Sequence, residues 1–237
     1  MPELRIAGNL KEELSACLPV LSENLPSDCL LVLGGGTVLA SRWEHRISTD
    51  LNFFVYGEDL AVGSYISETS SQINIRLANV SKINAHLRHF TFGYRETEVS
   101  VFSSVRRTDT DIEDREVFTG VLLEPTVEIL AKKLVGRVIG LGEFLPRDLY
   151  DFCTASRLDS DSFQSSLKVV SEGEIESIST ELGGLQHAPP KNQTDILNPK
   201  YKRLAENIWL YTHKLFETRA LPSYVFQIAD HNQGLSR

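Results

Sequence analysis

Apolar and polar positions along the 237-residue chain fall into two regimes. Over the first half, short apolar runs alternate with helical stretches. They predict a helix at about 9–19, a strand at 29–33, a helix at 37–44, a strand at 50–56 and a helix at 58–71. Further strands are expected near 73–77, 89–94 and 97–104, so β content concentrates in the middle of the chain. From about residue 124 the period turns helical. In 124–139, Ile129, Leu130, Leu134 and Val138 recur at helical spacing, with Pro125 near the first turn. The clearest helix is 203–218, striped by Leu204, Ile208, Tyr211 and Leu215. The segment 179–199, with Gly183-Gly184, Pro189-Pro190 and Asn192, has the composition of a loop or linker. No internal repeat is present. The pattern predicts an α/β (α+β) chain with a core over 1–122 and a helical lobe over 123–237.

The apolar run at 29–33 is broken by Gly34, Gly35 and Gly36 and followed at once by a helix. At such a helix start the backbone N–H groups lack partners, the helix dipole adds partial positive charge, and glycine lets a phosphate approach closely. A Walker loop is excluded because no Lys-Ser/Thr follows. The dinucleotide fingerprint fails because Leu39 stands where its third glycine belongs. Ser48-Thr49-Asp50-Leu51-Asn52 comes next, and alternation in an extended strand turns Asp50 and Asn52 to one face. Taken singly, a glycine turn or an Asp-x-Asn is usually structural. A glycine cradle and an acidic strand close together in sequence point instead to chemistry on a nucleoside triphosphate.

These residues resemble the AbiEii/AbiGii toxin family of nucleotidyltransferases, within the polymerase-beta-like superfamily. The family pattern is met by Gly35-Gly36-Thr37-Val38-Leu39 and by His45-Arg46-Ile47-Ser48-Thr49-Asp50-Leu51-Asn52-Phe53-Phe54. A second block, Glu128 to Arg137 around Lys133 and then Pro146-Arg147-Asp148-Leu149-Tyr150-Asp151-Phe152, is similar to the family's lysine helix and Arg-Asp-x-x-Asp motif. The resemblance implies a nucleotidyltransferase core with a mixed sheet plus a C-terminal helical lobe. It implies Mg²⁺ held by two or three carboxylates and a nucleoside triphosphate (NTP) as substrate. Gly35, Gly36 and Thr37 would hold phosphates, Arg46 and Ser48 would reach them, and Lys133 would meet them from the opposite side. Lys133 and Asp148 are thereby candidate catalytic residues, and Asp151 a bridging one. Read without the resemblance, they would be ordinary charges on amphipathic helices.

Where the family carries its second aspartate, this chain has Asn52. An amide offers one carbonyl oxygen and no charge, so metal affinity should fall sharply. A natural drift toward binding without catalysis and a deliberate replacement that silences a toxic enzyme both fit. The resemblance implies a third acid from 90–102, at about Glu98 or Ser100, and these two share one strand face opposite Val99 and Val101. Glu98 is the carboxylate of the two, so the candidate metal set is Asp50, Asn52 and Glu98.

The 41% hydrophobic and 24% charged content is that of a globular protein. The longest uncharged apolar run, 29–41, is too short and glycine-rich to cross a bilayer, and the N-terminus lacks a signal-peptide core, so a cytoplasmic location is expected. Cys17, Cys29 and Cys153 are too scattered for disulfides or zinc and read as buried hydrophobes. His86 and His89 have no nearby acidic or cysteine partner and read as strand or loop histidines. A net charge of −8 argues against a broad nucleic-acid-coating surface but not against local grip on a tRNA end. Arg88, Arg95, Arg106, Arg107, Lys200, Lys202 and Arg203 are the candidates for such a patch, and dispersed surface charges the plainer reading. The expected function is transfer of a nucleoside monophosphate from an NTP to RNA (tRNA foremost) or protein, in partnership with an antitoxin. The alternatives are an inactive nucleotide-binding or protein-interaction module of the same fold, and transfer to a small molecule.

Overall fold

The computed structural model describes residues 9–110, 117–118, 120–190 and 196–228. The elements in chain order are α1 (Leu10–Glu23), β1 (Leu30–Gly34), α2 (Gly35–Trp43), β2 (Leu51–Tyr56), α3 (Asp59–Arg76), β3 (Val80–His86), β4 (His89–Tyr94), β5 (Thr97–Ser103), β6 (Val117–Phe118) and β7 (Val121–Leu123). They are followed by α4 (Thr126–Lys132), which runs on as a π-helix (Lys133–Ile139), then α5 (Pro146–Leu158), α6 (Ser160–Leu167), α7 (Glu172–His187), α8 (Lys202–Glu206), α9 (Ile208–Thr218) and a 3₁₀ turn (Ser223–Phe226). The chain divides into two compact units, one comprising residues 1–43 and 48–129, the other 44–47 and 130–237.

The first unit is built on a seven-stranded mixed sheet in the order β3-β4-β5-β2-β1-β7-β6. The β1–β7 and β2–β5 pairs are parallel and the others antiparallel. Period-2 alternation sorts the faces: Leu51, Phe53 and Val55 of β2, Val99 and Val101 of β5, and Phe90 and Phe92 of β4 are fully buried. Helix α3 packs against β3, β4 and β5, and α1 packs on α3.

The strand expected at 73–77 is absent. Ile73, Ile75 and Leu77 alternate as a strand would, but Val62, Ile66, Thr69, Ile73 and Leu77 also share one helical face, and that longer pattern wins. Helix α3 therefore runs through Arg76 and leaves Ile75 exposed, and the chain enters the sheet only at Val80. Helix α1 likewise continues past residue 19, through Pro19, to Glu23.

Among the described residues the second unit is helical, with a core that includes Leu134, Leu149, Phe152, Phe163, Leu182 and Phe216. Phe152 and Phe216 meet edge to face at 5.9 Å. The loop expected at 179–199 begins only after His187, because a Ser171–Glu174 capping box starts α7 and the helix runs on through Gly183-Gly184. A Cβ on Gly183 would lie 3.3 Å from Nε2 of His213 on α9, so this glycine permits close helix packing. Residues 191–195 of that stretch, Asn192 included, lie outside the described residues. The single helix expected at 203–218 is two, divided at Asn207. The helix predicted for 124–139 starts at Thr126 and changes to π geometry at Lys133.

Candidate active site

Strand β1 ends at Gly34, opposite Asn52 of β2, and the chain turns into α2 at Gly35 with φ of +71°. A left-handed backbone favours glycine, and space does too, since a Cβ there would lie 3.2 Å from Nδ2 of Asn52. Gly36 and Thr37 complete the first turn of α2, which carries no acidic side chain to occupy its N–H groups. Thr37 is buried, and its hydroxyl reaches Oγ of Ser48 at 3.0 Å and the backbone carbonyl of Asp50. The helix start is thus tied to the segment that delivers Asp50 and Asn52.

Parallel pairing sets Asn52 beside Ser100, while Asp50 immediately precedes β2 and Glu98 lies on β5 one residue before Val99, the partner of Leu51. Phe54 and Phe102, the next pair along, stack at 5.6 Å, so these pairs share one face. Glu98 is exposed and Ser100 buried. The Asn52–Ser100 pair holds neutral oxygens, and the charge is carried by Asp50, just before β2, and by Glu98 of β5. Among the described residues no group of three or more His, Cys, Asp or Glu could hold a metal. Mg²⁺ usually needs only one or two protein carboxylates, with substrate phosphates and water completing its shell, so these hard oxygen donors fit it.

In the second unit, six charged or titratable side chains converge. Asp151, fully buried, accepts from Nε2 of His45 at 2.7 Å, from Arg46 through Nε at 2.7 Å and a terminal nitrogen at 2.9 Å, and lies 3.2 Å from Nζ of Lys133. Lys133 also bonds Asp148, and Arg137 reaches the other oxygen of Asp148 at 2.5 Å. Burial pushes both carboxyls up, but the cations overcome it: Arg46 and Lys133 hold Asp151 well below the ordinary carboxylate range, and Lys133 and Arg137 lower Asp148. Burial pushes His45 down, partly offset by Asp151. The His45 ring stacks on Tyr150 at 5.5 Å. The hydroxyl of Tyr150 donates to the His45 carbonyl at 3.2 Å and accepts from the Tyr201 amide at 2.9 Å.

The sequence candidates therefore sort into two groups. Gly35, Gly36, Thr37, Ser48, Asp50 and Asn52 lie together in the first unit, which also holds Glu98 on β5; Arg46, Lys133 and Asp148 lie in the second unit's charge cluster. The expectation that Arg46 reaches for phosphate meets a side chain committed to Asp151. Of the surface cations, Arg88 pairs with Asp59, Arg95 with Glu12, and Arg203 lies over the Tyr224 ring. Sequence reasoning missed Glu124, fully buried, which accepts from the Tyr56 hydroxyl at 2.6 Å and whose Oε2 lies 2.1 Å from where a Gly34 Cβ would stand. No local pattern marks Glu124. Its neighbour Glu128 accepts from the amides of Arg107 at 2.8 Å and Thr108 at 2.9 Å.

The family model for "Nucleotidyl transferase AbiEii toxin, Type IV TA system" matches residues 20–208. The chain belongs to the AbiEii toxin family. The match runs through the cradle, the Asp50 strand, Lys133 and the Asp148–Asp151 motif, and the role of the AbiEii family is nucleotidyl transfer. No curated protein matches the chain. Among solved structures, JHP933 from Helicobacter pylori is similar at 14% identity over 91% of this chain and 96% of that one, with a TM-score of 0.46. The antibiotic-resistance factor ANT(2'')-Ia is similar at 10% identity over 76% of this chain and 96% of that one, with a TM-score of 0.41. In this AbiEii chain no helix among the described residues is long and apolar enough to cross a membrane.

Proposed function

We propose that this chain binds an NTP at the start of α2 and transfers its nucleoside monophosphate to an RNA hydroxyl, with tRNA the foremost acceptor, as the toxin of a pair with a cognate antitoxin. The antitoxin rests on the family's Type IV toxin–antitoxin description. The observation that carries the nucleotide reading is the hydrogen-bonded link from Thr37 to Ser48 and the Asp50 backbone, which sets a glycine-bounded helix start beside the acidic strand. Amides of Gly36 and Thr37 would receive the terminal phosphates, and Asp50, Glu98 and the Asn52 amide oxygen would hold Mg²⁺. Bound there, the metal would neutralise charge as the acceptor oxygen bonds to the α-phosphorus and pyrophosphate leaves. Lys133, Asp148 and Asp151 form a charge network of their own in the second unit.

A second reading has its own support. Asn52 and Ser100 face each other and neither carries charge, which favours a chain that holds nucleotide without turning it over. The test is incubation of the protein and of an Asn52→Asp variant with each labelled NTP, Mg²⁺ and total RNA. Label on RNA with both proteins, stronger with Asn52→Asp, supports transfer. NTP retention without label, relieved by Asn52→Asp, supports the silent module. An Asn52→Asp variant that retains no NTP overturns the cradle assignment.

A further inference from the structure

On the sheet face that carries Asp50 and Asn52, the strand registers run two rows outward to the edge strand β3. One row is Phe54, Phe102, His89 and His86, with each ring near-parallel to the next: centroids at 5.6, 5.7 and 4.5 Å and planes within 22–23°. These spacings make a ladder of near-parallel rings across the strands, in which Phe102 and His89 are half-buried and His86 is exposed. The row ends at His86, an exposed ring on β3, the edge strand among the described residues. Alongside it, roughly 6.6 Å away along the strands, runs a row of amides and hydroxyls: Asn52, Ser100, Thr91 and Asn84. Neither row contains Lys or Arg. Burial and His86 both push His89 down, toward the neutral ring.

A ladder of rings beside a row of neutral donors and acceptors, with no Lys or Arg in either row, suits bases better than phosphates. Single-stranded nucleic acids are held on sheet faces by such stacking, and base edges are read by amides and hydroxyls. We infer that this face is the acceptor track: the last unpaired nucleotides of the RNA lie across β5, β4 and β3 with bases against Phe102, His89 and His86, and with the terminal hydroxyl toward Asp50. The inference rests on the proposed RNA acceptor but not on the metal or on turnover.

The test needs no NTP. Fluorescence anisotropy with a short labelled oligoadenylate should show binding, about tenfold weaker with His86→Ala or Asn84→Ala and weaker again with both. An abasic oligomer of the same length and charge should bind at least about tenfold more weakly than oligoadenylate. Arg88→Ala, next to the row but turned to Asp59, should change little. Raising salt from about 50 to 200 mM should weaken binding only a few-fold, against the steep loss of a phosphate-gripping surface. His86 is exposed, so its variant should keep the native circular dichroism spectrum. Absent binding, equal affinity for the abasic oligomer, or indifference to both variants overturns the inference. So does a dimer that His86→Ala dissociates with no RNA bound, which would assign the face to a second copy. Failure here leaves NTP retention by the wild-type protein untouched, and loss of NTP retention leaves this binding untouched.

Discussion

Replacing Asp151 by alanine removes the one carboxylate on which His45, Arg46 and Lys133 converge, and its cost can be worked from the geometry. Arg46 donates twice to Asp151, at 2.7 and 2.9 Å, with only 4% of its side chain exposed and none of the aspartate's. Lys133 keeps Asp148, so the loss falls mainly on the guanidinium. Deleting one partner of a buried ion pair costs about 3–5 kcal/mol, because the remaining charge is stripped of its compensation. Against a total stability of roughly 5–15 kcal/mol this is a large share. The acid limb gives an independent check. Asp151 is held below its unfolded value, so its contribution is complete above about pH 5 and is lost as the unfolded chain takes up the proton first. The gap between wild type and Asp151→Ala should narrow by about 1.4 kcal/mol per pH unit below roughly pH 4. The assay is urea denaturation followed by Trp209, buried in α9, in a Trp43→Phe background that silences the other tryptophan. A loss below about 1 kcal/mol at pH 7, or a gap that stays constant into acid, would refute the account of the cluster.

Gly35→Ala places a Cβ at φ of +71° and 3.2 Å from the Asn52 amide, and should cost about 1–2 kcal/mol in thermal unfolding and weaken NTP retention. Burial pushes the thiols of Cys17 and Cys153 up to about 12, so Ellman's reagent at pH 8 should leave both unreacted in the native protein and titrate all 3 cysteines in denaturant. Glu128→Gln deprives the Arg107 and Thr108 amides of a charged acceptor at 2.8–2.9 Å; stability should fall by about 1–3 kcal/mol, and trypsin should cut at Arg106 and Arg107 sooner.

What could be read from the letters was what is local in the chain. Strand, glycine turn, helix and acidic strand follow one another within about 25 residues, so the neighbourhood of Thr37, Ser48 and Asp50 was legible before any coordinates. Asp151 was legible as a bridging residue, but its partners were not, since His45 and Arg46 lie more than 100 positions upstream and no period or spacing connects them. The end of α3 misled for a different reason: Ile73, Ile75 and Leu77 satisfy two periods at once, and only the packing of Ile73 and Leu77 on the helical face decides between them. The π geometry from Lys133 onward has no sequence mark, whereas the four-residue spacing of Lys133 and Arg137, which both reach Asp148, is one that helices bring to a common face.

The short insertion Glu44–Ile47 has a practical outcome for anyone dissecting this protein. Because those four residues belong with the chain after Ile129, a single scission cannot release either half intact. A fragment ending at Ile129 would carry a histidine and an arginine bereft of their acid, while its complement would hold an acid bereft of both. Expression of halves should yield aggregation-prone pieces, and swapping lobes between homologues would require grafting this tetrapeptide along with the carboxy-terminal portion.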